Sequence, residues 1–150
     1  MSEAGWALAA LVLAGGFAAV ALRRRWIVVS VRGASMLPAL HHGDVVLASR
    51  RAAGRIRRAD VVVLRTPGSP GDLLVKRVAA VAGDRPPEGV PTPGAVVPAG
   101  HVVVLGDNGG LDSRVFGPVP HGLLLAVVVR RLRVARDAAE NEDPDVAGAV

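Results

Sequence analysis

The sequence predicts a mostly-β domain preceded by one N-terminal transmembrane helix. Three observations carry that expectation. Residues 4–22 are 19 consecutive uncharged, largely apolar residues, close to the ~20 that a helix needs to cross a bilayer. From residue 27 onward, short β-branched runs alternate with Gly, Pro and Asp, the pattern of strands and turns. No apolar period of 3.6 extends over ten or more residues after the first run.

The elements follow in chain order. The apolar run is bracketed by Trp6 and Trp26 and closes on Arg23, Arg24 and Arg25, as interfacial aromatics and flanking cations do. A cleaved signal peptide carries its positive charge before the apolar stretch, so this order predicts an uncleaved anchor over residues 1–26. Strand-like runs are expected at 27–31, 45–47, 60–64, 73–81, 101–105 and 123–134. Residues 83–100 hold five prolines and four glycines and are expected to form a loop or loose hairpin. A catalytic core is therefore expected over 27–134. Residues 135–150, with five acidic side chains against Arg136, are expected to be a disordered tail.

Composition narrows the function classes. At 150 residues the chain supports one modest core. It is 51% hydrophobic but 3% aromatic with no Tyr, so that core must be Val, Leu and Ala. Without cysteine there is no disulfide framework or thiolate metal site. The tail carries a net −4, which leaves +9 on the rest. A basic body fits nucleic acid or anionic lipid. The absence of stacking aromatics, a helix-turn-helix pattern and zinc-finger spacing argues against nucleic acid, and the apolar run favours a lipid bilayer. The four histidines lack metal-ligand spacing and stand beside Gly, Pro or Asp. They are assigned to structure or solvent, although His41 and His42 lie near enough to Ser35 in sequence for a His-based triad to be considered. Neither metal nor cofactor is expected.

The chain has 17 arginines and a single lysine, Lys76, in the apolar stretch Leu74-Val75-Lys76-Arg77-Val78. A guanidinium stays charged at any working pH, whereas an ammonium among Leu and Val can lose its proton near neutrality. Composition alone leaves Lys76 evenly between a functional amine and a chance surface residue. Gly33-Ala34-Ser35-Met36-Leu37-Pro38 can expose a hydroxyl on a tight turn after a strand, yet by itself reads as a plain turn. Paired with Lys76 as a base 41 residues on, Ser35 fits the Ser–Lys variant of the triad.

Blocks in a fixed order then carry a resemblance. Ser35-Met36-Leu37-Pro38, Gly43-Asp44-Val45-Val46, Val75-Lys76-Arg77-Val78 with Gly83-Asp84, Gly106-Asp107-Asn108, Asp112-Ser113-Arg114 and Phe116-Gly117-Pro118-Val119 resemble the type I signal peptidases. That membrane-anchored family also includes mitochondrial inner-membrane processing peptidases. The likeness runs from about residue 31 to 129.

The resemblance implies a signal-peptidase-like β core that cuts signal peptides from exported preproteins with small residues at the cleavage site. Ser35 would be the nucleophile and Lys76 its general base. The Ser35 N–H and the main chain of Gly33 would hold the oxyanion, and Met36 would line the cleft. Arg77, Asp107, Asp112 and Arg114 would form a charge network bracing the Lys76 strand, with Asn108 and Ser113 as further supporting motif residues. Two departures stand out. Gly110 occupies the position of a family Ser that orients the lysine, and the segment between Lys76 and Gly106 is too short for an accessory β-domain.

A single-pass cell-membrane protein with its core on the extracytoplasmic face is implied. Arg23, Arg24 and Arg25 point the other way, because positive flanks stay cytoplasmic. Two alternatives stay open. One is a dedicated maturation protease of the same family, such as that for nickel superoxide dismutase. The other is an inert membrane-tethered β-module.

Overall fold

The computed structural model describes residues 3–133. The tail expected over 135–150 lies outside the described residues, as does the last residue of the expected core. A helix, α1, covers Glu3–Arg25, and seven strands follow: β1 (Trp26–Ser30), β2 (Val45–Ser49), β3 (Val61–Thr66), β4 (Ser69–Val81), β5 (His101–Leu105), β6 (Val119–Pro120) and β7 (Leu124–Arg133). One turn of helix, α2 (Ser113–Phe116), precedes β6. All six expected runs are strands. The two-residue β6 was too short to leave a periodic signal. Residues 83–100 carry no strand, as expected of a Pro- and Gly-rich stretch.

The transmembrane span expected over 1–26 fares differently. The helix forms, but no helix among the described residues is long and apolar enough to cross a membrane. α1 meets the core where the Arg50 N–H donates to the Arg25 carbonyl at 2.9 Å.

The strands form one antiparallel sheet in the order β1-β2-β7-β3-β4-β5-β6. Register shifts interrupt the β2–β7, β3–β7 and β4–β5 ladders, and such irregularities bend strands and increase twist. The sheet curls enough that β1 and the first half of β4, with three strands between them in the order, line the same cavity.

Aliphatic side chains fill the interior, as the shortage of aromatics requires. Val62, Leu64, Val78, Val102, Val104, Val119, Leu124 and Val127 form the main cluster, with Phe116 packed against it. A second cluster joins Val31, Met36, Leu40 and Val46. It lies under the loop between β1 and β2. Met36, 1% exposed, ties the Ser35 turn to the core. Burying a side chain of its size contributes roughly 1.5–3 kcal/mol.

Candidate active site

Three segments build the site. The first is the 31–44 loop, which carries Ser35. Its stem continues the β1–β2 ladder, with the Val31 N–H donating to the Asp44 carbonyl (2.8 Å) and the Gly43 N–H to the Val31 carbonyl (2.9 Å). Asp44 is fully buried and accepts from the His41 N–H at 2.9 Å and from Arg131 Nη1 at 3.3 Å. The Gly-Asp of the sequence motif is thus a loop fastener.

The second segment is β4, whose alternation turns Lys76 inward between Val75 and Arg77. Lys76 is 2% exposed and is among the largest fully buried side chains of the described residues. Burial pushes its pKa below the ordinary 10.5, Asp112 partly opposes that shift, and the Arg114 cation adds to it. Lys76 forms no hydrogen bond or ion pair with any described residue. Its neighbour Arg77 points outward and clamps Asp107 with two bonds, Nε to Oδ1 at 2.8 Å and Nη2 to Oδ2 at 2.7 Å. Arg77 Nη1 also reaches the Ala59 carbonyl at 3.0 Å. That fork joins β4 to the loop after β5.

The third segment runs from Gly106 to Arg114. Asn108 grips the Ser35 turn twice, its N–H donating to the Ser35 carbonyl at 2.9 Å and its Nδ2 to the Ala34 carbonyl at 3.2 Å. A side chain at Gly106 would place its Cβ 2.8 Å from the Ser35 carbonyl oxygen, so this close approach demands glycine. Asp112 is fully buried. It caps α2 through the Arg114 N–H (3.0 Å), accepts from Arg114 Nε (3.0 Å) and Nη2 (2.5 Å), and takes the Gly106 N–H at 3.0 Å. Although burial raises its pKa, the Arg114 bonds and the two N–H groups bring it down to about 2. Buried Ser113 accepts the Val104 N–H at 3.0 Å. The four charged residues therefore form two separate pairs, Arg77–Asp107 and Asp112–Arg114, rather than one continuous network.

Gly110 brings the pieces together. A Cβ built there would lie 3.2 Å from Ser35 Cβ and 3.6 Å from Lys76 Nζ. The lone lysine amine and the Ser35 side chain thus face one point in space, although Ser35 and Lys76 are 41 positions apart in the chain. The Ser35 N–H donates to no acceptor among the described residues, so it is available to an incoming anion.

Ser35 and Met36 also line a cavity of about 670 Å³ between residues 28–32 and 71–75, with Leu111 at its edge. Among the described residues, both walls present backbone that no neighbouring strand pairs. β1 is the outermost strand, and residues 73–75 of β4 pair with β3 but lie before the stretch that pairs with β5.

Residues 4–85 match the family described as Signal peptidase, peptidase S26, more than half of the chain. The chain belongs to the S26 signal peptidase family. It is 42% identical over 105 residues to the mitochondrial ATP-independent inner membrane protease subunit 1a of Arabidopsis thaliana, a match covering 63% of this chain and 62% of that protein. Against the mouse mitochondrial inner membrane protease subunit 1 the identity is 39% over 106 residues, covering 65% and 63%. Against subunit 2 of Schizosaccharomyces pombe it is 40% over 111 residues, covering 67% and 61%. The chain thus spans a little under two thirds of the length of these peptidases. A member of the signal peptidase family with mostly antiparallel β structure is what the ordered blocks implied.

Two features were not legible. Gly33, expected to help the oxyanion through its main chain, donates its N–H to His42 Nδ1 at 3.1 Å. Leu111 lines the cleft. Neither contact has a periodic or motif signature: the first depends on how the 31–44 loop folds back on itself, the second on how the loop after β5 meets the cleft. A metal site is also absent from the described residues.

Proposed function

We propose that this S26 family member is a membrane-attached serine endopeptidase that removes signal peptides from exported preproteins, with Ser35 as nucleophile and Lys76 as general base. The single observation that carries this reading is the convergence of Ser35 and a buried Lys76 on Gly110. A lysine serves as a base only when neutral, and desolvation lowers its pKa toward that state.

Neutral Lys76 Nζ takes the Ser35 Oγ proton as Oγ attacks the scissile carbonyl. The Ser35 N–H holds the resulting oxyanion. The Lys76 ammonium then protonates the leaving amine as the C–N bond breaks. A water, deprotonated by the same amine, attacks the ester and restores free Ser35. Gly110 offers no hydroxyl to orient Nζ, so orientation falls to the packed walls of β4. The cleft takes an extended segment, since open backbone on both walls can add it as a strand. Small residues at the cleavage site suit the shallow Val/Leu lining.

Membrane attachment is assigned to α1. Its support is the 19-residue uncharged run, six bulky apolar side chains at least half exposed (Trp6, Leu11, Val12, Leu13, Phe17 and Val20), and the inner-membrane names of the relatives. The domain limits 1–26, 27–134 and 135–150 and an extracytoplasmic core belong to the same proposal.

The test is cleavage of a signal-peptide-bearing precursor by detergent-solubilised protein, wild type against Ser35→Ala, with a serine-directed acylating probe alongside. Cleavage after a small residue and labelling, both lost in the variant, support the proposal. A folded wild type that neither cleaves nor labels refutes it in favour of an inert module.

A further inference from the structure

We propose that His42 is a positioning residue for the Ser35 turn, which it holds by accepting the Gly33 N–H. The inference rests on the reading of Ser35 as nucleophile and adds to it a residue from outside the dyad.

The β1–β2 ladder continues past Ser30↔Val45 through the Val31–Asp44 and Gly43–Val31 bonds. There it runs out of main-chain acceptors. Gly43 turns at φ +88°, which carries the main chain out of the ladder. The His42 ring supplies the next rung instead, with Nδ1 3.1 Å from the Gly33 nitrogen. Gly33 itself sits at φ +85°, and Ser35 lies two residues on. The other flank of the turn is pinned by the two Asn108 bonds to the Ala34 and Ser35 carbonyls. His42 and Asn108 thus grip the nucleophile's turn from opposite ends.

Both ends of the His42 bond are exposed, so water can replace either partner and the bond adds little to folding. What it fixes is direction. The Gly33 N–H is committed to the ring, so the turn has one set orientation and the Ser35 N–H remains the free donor for the oxyanion. The acceptor role requires a neutral ring carrying its proton on Nε2. An asparagine can present Oδ1 in place of Nδ1, whereas leucine has no acceptor.

The experiment compares wild type, His42→Asn and His42→Leu as full-length protein in detergent, measuring kcat, KM, the rate of Ser35 acylation by the probe, and Tm. His42→Leu is expected to lower kcat and acylation about two- to tenfold, the scale of one hydrogen bond that orients the turn. KM and Tm stay unchanged, because the cleft walls and core are untouched. His42→Asn is expected to restore most of the rate. Wild-type kcat in His42→Leu, or an equal loss in both variants, overturns the inference. A wild type that neither cleaves nor labels removes the reading of Ser35 itself, and the inference with it.

Discussion

Asp112→Asn changes one charge while keeping the side chain's shape, and two independent readouts follow from it. In the native protein the carboxylate is fully buried, with the Arg114 guanidinium, the Arg114 N–H and the Gly106 N–H all donating to it. Burial opposes ionisation, but these donors hold the pKa at about 2 against an ordinary 3.8. At about 1.4 kcal/mol per unit, that difference is worth about 2 kcal/mol. The folded pKa is the lower one, so as acid is added the unfolded chain takes up the proton first. The contribution is therefore complete above pH ~4 and lost as pH falls toward ~2.

Asn cannot titrate, so Asp112→Asn should be less stable than wild type near neutrality, and the gap should narrow by about 2 kcal/mol in acid. For a domain of this size that is about 4–8 °C in Tm, readable by thermal melts between pH 7 and 2. The second readout is the pH–rate profile. Asp112 raises the Lys76 pKa and Arg114 lowers it. Removing the carboxylate leaves the Arg114 cation unopposed, so the rising limb of the profile should move to lower pH. A Tm gap independent of pH would refute the carboxylate account. A limb that stays put would show that Lys76 is not the titrating base.

Lys76→Met should be inactive, down at least about 10³-fold, yet have a higher Tm. The buried amine has a folded pKa below its unfolded one, so it weakens the fold at every pH below that range, and Met fills similar volume without that cost. A lower Tm in the variant would mean that the amine is stabilised by contacts beyond those described. Gly110→Ala should lose both stability and rate. A non-glycine at φ +91° costs about 1–3 kcal/mol, and the new methyl stands 3.2 Å from Ser35 Cβ and 3.6 Å from Lys76 Nζ. Gly109→Ala is the matched control. Its φ is +76° with no atom within 4 Å, so melts should show a similar stability loss while peptide cleavage shows unchanged kcat.

The strands were legible because each is a β-branched run closed by Gly, Pro or Asp, a purely local signal. Lys76 was legible because arginine had taken every other cationic position, which isolated one amine within an apolar stretch. The division of the charges was not legible. Sequence order suggested one network, but Arg77 pairs with Asp107 at the start of the loop after β5, whereas buried Asp112 is held by Arg114 and the Gly106 N–H. The Gly33–His42 bond was hidden for another reason. It joins an N–H, which every residue but proline has, to a ring that composition alone would assign to solvent. The membrane span was expected from an apolar count alone, and no helix among the described residues is long and apolar enough to cross a membrane.

The unpaired rims of the cleft, β1 on one side and residues 73–75 on the other, have a consequence for timing. A segment can bond to those rims only while its own amides and carbonyls remain unspent. A formed helix or sheet has used them already and is turned away whatever side chains it carries. On the proposed function, cleavage would thereby be confined to the interval before the substrate folds. A mature domain that has finished folding would then be safe beside the protein without needing to avoid small residues in its own sequence.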